Sequence, residues 1–173
     1  MNNLNKQKGV GLVEVLVALV LLAVGVLGYA ALQLRAIDAT SEALNRSQAT
    51  VILRGLTESI RANPLAQNSY PAAVQGYLDI DDEANAPACF ETMCSVSEIA
   101  QYDAYWAARS AHNLGMKITM TTCPGVGTSV RRQCLFAAWD DTASELGATD
   151  YSVCMGMDGI YAPSAKCLMM EAY

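Results

Sequence analysis

Residues 9–32 read GVGLVEVLVALVLLAVGVLGYAAL, and among the 23 residues from Val10 to Leu32 only Glu14 carries a charge. At about 1.5 Å per residue such a run makes a helix roughly 34 Å long, enough to cross a bilayer. A carboxylate inside it costs roughly 2.5–3.5 kcal/mol on insertion scales, and charges so placed usually serve a partner. Glu14 is therefore the first candidate functional residue. The bland alternative is a carboxylate near the inner end of the span that snorkels to the headgroups.

What precedes the run is unlike an ordinary secretory signal, in which the cleavage site follows the apolar core. Residues 1–9 are polar, carry Lys6 and Lys8, and end in Gly9 ahead of the apolar stretch. A cut after Gly9 falls on the cytoplasmic face and leaves the apolar segment on the product. Lys6 and Lys8 hold that end inside by the positive-inside bias. Topology alone does not separate this arrangement from an uncleaved signal anchor.

Downstream, no proline occurs between Val10 and Asn63, and Pro64 supplies a stop. Ile37, Leu44 and Val51 recur every seven residues, and Ile52, Leu56 and Ile60 follow at spacings of four. This is one drifting apolar stripe on a helix, which packs on the chain's own body or pairs as a coiled coil. Glu42 with Arg46 and Arg54 with Glu58 are i,i+4 pairs on the polar side.

From Pro64 onward the chain reads as one globular region with 5 Lys+Arg against 13 Asp+Glu, a net of −8. That charge repels phosphate backbones and argues against direct nucleic-acid binding. All six cysteines, Cys89, Cys94, Cys123, Cys134, Cys154 and Cys167, lie here. An even number in a small region points to disulfides in an oxidising space. A zinc site is the rival, but no CxxC pair exists and His112 is the lone histidine. Pairing in chain order gives Cys89–Cys94, Cys123–Cys134 and Cys154–Cys167, the middle pair joining two strands across a turn.

Within this region Ser97 and Glu98 open a helix to His112 on which Ile99, Tyr102 and Trp106 share a face, and Gly115 ends it. MKITMTTC alternates as a strand, Pro124-Gly125 turns, and VRRQCLFAAW is its partner. YSVCMGM and KCLMMEA are the last strand candidates, and residues 64–95 read as loop.

Enzymatic signals are weak. Gly125-x-Gly127 lacks a third glycine and reads as a turn. There is no GxSxG or HExxH. His112 is a helix-end residue suited to the dipole. Asp79, Asp81, Asp82 and Glu83 lack ordered calcium-loop spacing and read as a solvated loop. No catalytic residue, metal or cofactor is expected.

The run Gly9-Val10-Gly11-Leu12-Val13-Glu14, followed by Val15-Leu16-Val17-Ala18-Leu19, resembles the type IV prepilin signature. Gly25 to Gln33, Arg46-Ser47-Gln48-Ala49, Ile60-Arg61-Ala62-Asn63-Pro64 and Tyr102-Asp103-Ala104-Tyr105-Trp106 resemble the PilV-type minor pilins, densely over residues 8–64 and thinly beyond. Val10 stands where the family usually has Phe, and Gly11 where it often has Thr. The resemblance implies cleavage between Gly9 and Val10 by a prepilin peptidase, N-methylation of Val10, and a register role for Glu14. It also implies an α+β pilin fold, a long helix over about residues 10–63 packed on a C-terminal antiparallel β-sheet domain with disulfides.

The domain reading is leader 1–9, transmembrane and pilus-core half-helix 10–34, amphipathic half-helix 35–63, and periplasmic body 64–173. The implied partners are the inner membrane, other minor pilins and the major pilin. With them the chain primes pilus assembly from a tip position, supporting twitching and DNA uptake. A minor pseudopilin of type II secretion is the nearest alternative, and a signal-anchored periplasmic binding or enzymatic domain the one from another class.

Overall fold

A computed structural model describes residues 11–89, 93–126 and 132–173. The chain forms two compact units, Met1–Ala43 and Leu44–Tyr173, and helix α1 (Leu12–Ala62) belongs in part to each. In the first unit every described residue through Ser41 is exposed. The apolar part is long enough to cross a membrane, and it is not covered by the chain itself.

In the second unit α1 buries Ala49, Leu53, Leu56 and Ile60. Those positions follow a 4-3-4 spacing, the stripe of a straight helix. The expected stripe through Val51 is therefore corrected: Leu53 is fully buried while Val51 is 69% exposed. Two residues are about 200° of helix rotation, so Val51 and Leu53 face nearly opposite ways.

Residues 64–95, expected as loop, contain a 3-10 turn (Pro64–Ser69) and helix α2 (Tyr70–Gly76). Each starts with a proline in its first turn, where the missing N–H costs nothing. Ala66, Tyr70 and Val74 recur every fourth residue and are buried. Three anchors on so short a stretch are too few to show as a period.

Helix α3 (Val96–His112) starts one residue before the expected Ser97. Ser95 is the cap: its Oγ accepts from the Glu98 N–H, and its own N–H donates to the Glu98 carboxylate at 2.7 Å. The helix buries Ala100, Ala104, Tyr105, Ala108 and Ala111. The shared face of Ile99, Tyr102 and Trp106 is instead its open side, with Trp106 47% exposed. Gly115 takes φ +69° after the helix end, as expected of a terminating glycine.

Strands β1 (Met116–Thr122), β2 (Gln133–Trp139) and β3 (Cys167–Glu171) form an antiparallel sheet in the order β1-β2-β3. Met116 pairs with Trp139 across β1 and β2, and Ala138 pairs with Cys167 across β2 and β3. Both sheet faces are covered. Ile118, Met120, Leu135 and Ala137 join the core with α1, α2 and α3, whereas Cys134, Phe136, Ala138 and Cys167 join a second core with Leu146, Tyr151 and Cys154. That is why β2 is buried nearly end to end without alternation.

Short helix α4 (Asp140–Glu145) follows β2. YSVCMGM, expected as a strand, is a turn with a single bridge between Met155 and Tyr161. The Cys154 and Met155 N–H groups both donate to the Tyr151 carbonyl, which commits them locally rather than to a sheet.

Candidate functional site

Among the described residues, two places carry chemistry that the core does not absorb. The first is the start of α1. Gly9 and Val10 lie outside the described residues. Glu14 sits in the first helical turn, where a negative charge suits the helix dipole. Its N–H and that of Val15 donate to the Gly11 carbonyl at 3.0 and 3.3 Å. No cation among the described residues comes within ion-pair distance of it. Ala18, Leu21, Gly25 and Gly28 follow Glu14 at alternating spacings of four and three, on one face. A Cβ added at Gly25 or Gly28 would meet nothing within 4 Å. The face is open, and its small residues allow another helix to come close.

The second place is a polar joint in the body. Tyr70 is fully buried, yet its hydroxyl donates to the Asp103 carboxylate at 2.6 Å. The hydroxyl also lies 3.3 Å from the Ser59 carbonyl and accepts from Asn63 Nδ2 at 3.4 Å. Asn63 donates further to the Val96 carbonyl at 2.8 Å. This joint ties the end of α1 to α2 and α3. Burial pushes the Asp103 carboxyl up, and the Tyr70 hydrogen bond pulls it partly back. Burial, followed by the bond to Asp103, pushes the Tyr70 phenol well above its usual value.

The acidic loop is held by cations rather than gathered into a site. Lys117 pairs with Asp79, while Arg109 reaches Asp82 at 3.0 Å and His112 lies 3.8 Å from it. Asp81 accepts from the Glu83 and Ala84 N–H groups. No group of three or more metal-ligating side chains occurs among the described residues. His112 is in the last turn of α3, where the sequence put it.

Cys89–Cys94 and Cys123–Cys134 are disulfides with Cα separations of 5.3 and 4.9 Å. The cross-strand partner of Cys134 is Thr121, so Cys123 sits two residues further on, on the same sheet face. Cys154 and Cys167 are not joined by a disulfide in this structure, and both are buried. Their side chains nevertheless meet: hydrogen bonding to Cys167 and then burial raise the Cys154 thiol far above its usual range.

The structure joins two of the three cysteine pairs expected from chain order, Cys89–Cys94 and Cys123–Cys134, whereas the expected Cys154–Cys167 bond is not formed in it. Among the described residues it brings Glu14 to no side-chain partner. Sequence reading missed Tyr70 and the role of Asp103. The available signal was an acid placed between Tyr102 and Tyr105 on a helix whose other face is alanine, a setting that leaves a carboxylate half-buried.

Residues 4–30 match the family model described as the prokaryotic N-terminal methylation motif. Residues 31–105 match the family model described as type IV pilin Tt1218. No curated protein and no solved structure matches the chain. The matched segments end within α3, so the β-sheet lies outside both.

Proposed function

We propose that this chain, a type IV pilin with an N-terminal methylation motif, works as a minor pilin of the PilV type. A prepilin peptidase cuts between Gly9 and Val10, and the new terminus at Val10 is N-methylated. The body faces the periplasm while α1 anchors the subunit in the inner membrane. The subunit then joins other minor pilins to prime a pilus at its tip, and so supports twitching and DNA uptake. Arg46-Ser47-Gln48-Ala49 and Ile60-Arg61-Ala62-Asn63-Pro64 support the PilV type. Pilins are structural proteins, and the chain's chemistry lies in assembly rather than turnover.

One observation carries the reading: a single carboxylate within the otherwise apolar run 10–32 that opens α1, at the fifth position of the chain that cleavage would leave. A lone charge in lipid is unfavourable, whereas a paired one is tolerated. The α-amine of a neighbouring pilin supplies the counter-charge. Glu14 thus disfavours the lone subunit and favours the docked one, which sets the register of assembly.

Glu14→Ala tests this directly. Deleting one partner of a buried pair typically costs about 3–5 kcal/mol, on the order of a hundred- to several-thousand-fold in association. The variant should reach normal levels in the membrane but be nearly absent from sheared pili and minor-pilin complexes. Equal recovery of wild type and Glu14→Ala in those fractions would overturn the pairing.

A further inference from the structure

The open side of α3 and the last turns of α1 enclose a groove that no part of the described chain fills. Val51, Gly55, Tyr102, Trp106 and Ala107 line a trough of about 490 Å³, with Asp103 in its wall. A second trough of about 460 Å³ shares Ser59 and Asp103 with it and continues past Leu65, Val96 and Ile99. Both are open to solvent, and their surface is mainly apolar. The stretch of α1 from Val51 to Ala62 is 12 residues, roughly 18 Å of helix, or about three turns.

Three features define what fits. The troughs are long and shallow, which suits a helix laid lengthwise rather than a small molecule. Gly55 sits in the wall, and a Cβ there would meet nothing within 4 Å, so an incoming backbone can approach closely. Tyr102 and Trp106 are of the residue types that dominate interface energy. Among the described residues, the only charge lining the troughs is Asp103. Tyr70 satisfies its Oδ2, and its other oxygen accepts no hydrogen bond among the described residues. An acidic partner is repelled and a wholly apolar one leaves that oxygen unpaired. A helix face with one cation among apolar residues is complementary.

We infer that this groove docks a helix of a different pilin subunit, through an apolar face bearing a single Lys or Arg that reaches Asp103. The inference rests on the pilin reading for the identity of its occupant.

The test uses the full chain in piliated cells, with a photo-crosslinking phenylalanine derivative at position 106 and, as control, at Ile160, which is exposed outside the groove. Position 106 should give an adduct with another pilin at least tenfold above position 160, and mass spectrometry should place it in that pilin's helix. Because exchanging Trp106 costs its ring contacts with Tyr102 and Tyr105, a second substitution fills the groove instead. Gly55→Leu, with the probe kept at position 106, should lower the adduct at least tenfold while the chain still folds. Recovery of the chain in sheared pili with no pilin adduct at position 106 overturns the groove and leaves the pilin reading standing. Absence from pili and from every pilin complex overturns both. An adduct with a second copy of this chain, or an adduct that Gly55→Leu leaves unchanged, also overturns the assignment.

Discussion

Replacing Tyr70 with phenylalanine removes one oxygen from the joint that holds Asp103 in the wall of the groove. Tyr70 is fully buried, so the ring should stay in place, and Asp103 loses its donor at 2.6 Å. Leaving a buried partner unsatisfied costs about 1–3 kcal/mol, with the upper part of the range for charged groups. The loss must depend on pH. Burial raises the Asp103 carboxyl above its ordinary 3.8, and the Tyr70 bond opposes that rise. A carboxyl raised on folding contributes stability that is fully present below its unfolded value and is lost as pH climbs through the folded one. Removing the hydroxyl lifts Asp103 further, so the variant loses more as the acid ionises. We expect Tyr70→Phe to cost about 1 kcal/mol near pH 3.5 and about 2–3 kcal/mol at pH 7. Urea unfolding of the full chain in detergent at both pH values measures this. Asp103→Asn on the same background should abolish the pH difference, since the two side chains act as one unit. A loss under about 0.5 kcal/mol, or an equal loss at both pH values, would refute the account.

Replacing Gly9 with a bulky residue should leave the nine-residue leader on the membrane-bound chain, whereas wild type should begin at N-methylated Val10; intact mass decides it, and a wild-type chain that keeps Met1 rules the processing out. Leu53→Ala should destabilise the body by about 2–5 kcal/mol, because Leu53 is fully buried against the core, while Val51→Ala should change stability by under about 0.5 kcal/mol. Denaturant midpoints of the two variants check that contrast, and equal losses would mean the helix is rotated. Cys154 and Cys167 should be joined in the chain isolated from an oxidising compartment, because their buried side chains already meet. Non-reducing peptide mapping should link those two residues, and a link from either to Cys89, Cys94, Cys123 or Cys134 would contradict it.

Much of the assembly end was legible in the sequence. A 23-residue run with one carboxylate, a glycine before it and no proline until Pro64 leave a long helix as nearly the sole choice. Hydrophobic length and missing breakers are local properties, and they need no neighbours to act. Alternation marked out β1, the Pro124-Gly125 turn gave β2 as its partner, and KCLMMEA, a strand candidate, forms β3. Chain order was enough to pair Cys89 with Cys94 and Cys123 with Cys134, because a short loop and a hairpin keep near neighbours near.

Tertiary structure decided what depends on who packs against whom. Stripe positions 51 and 53 are both apolar, and only the body chooses Leu53 for the inside. Ala100, Ala104 and Ala108 carry little hydrophobic signal, yet small side chains let α3 lie close, which turns Tyr102 and Trp106 outward. The second core behind the sheet made β2 buried on both faces, and no single-strand period encodes that. The groove follows from the same cause: it is the space between two helices, fixed by the residues each one buries. Glu14's place on the chain is therefore a matter of sequence, while Asp103 gains its setting only when Tyr70 folds against it.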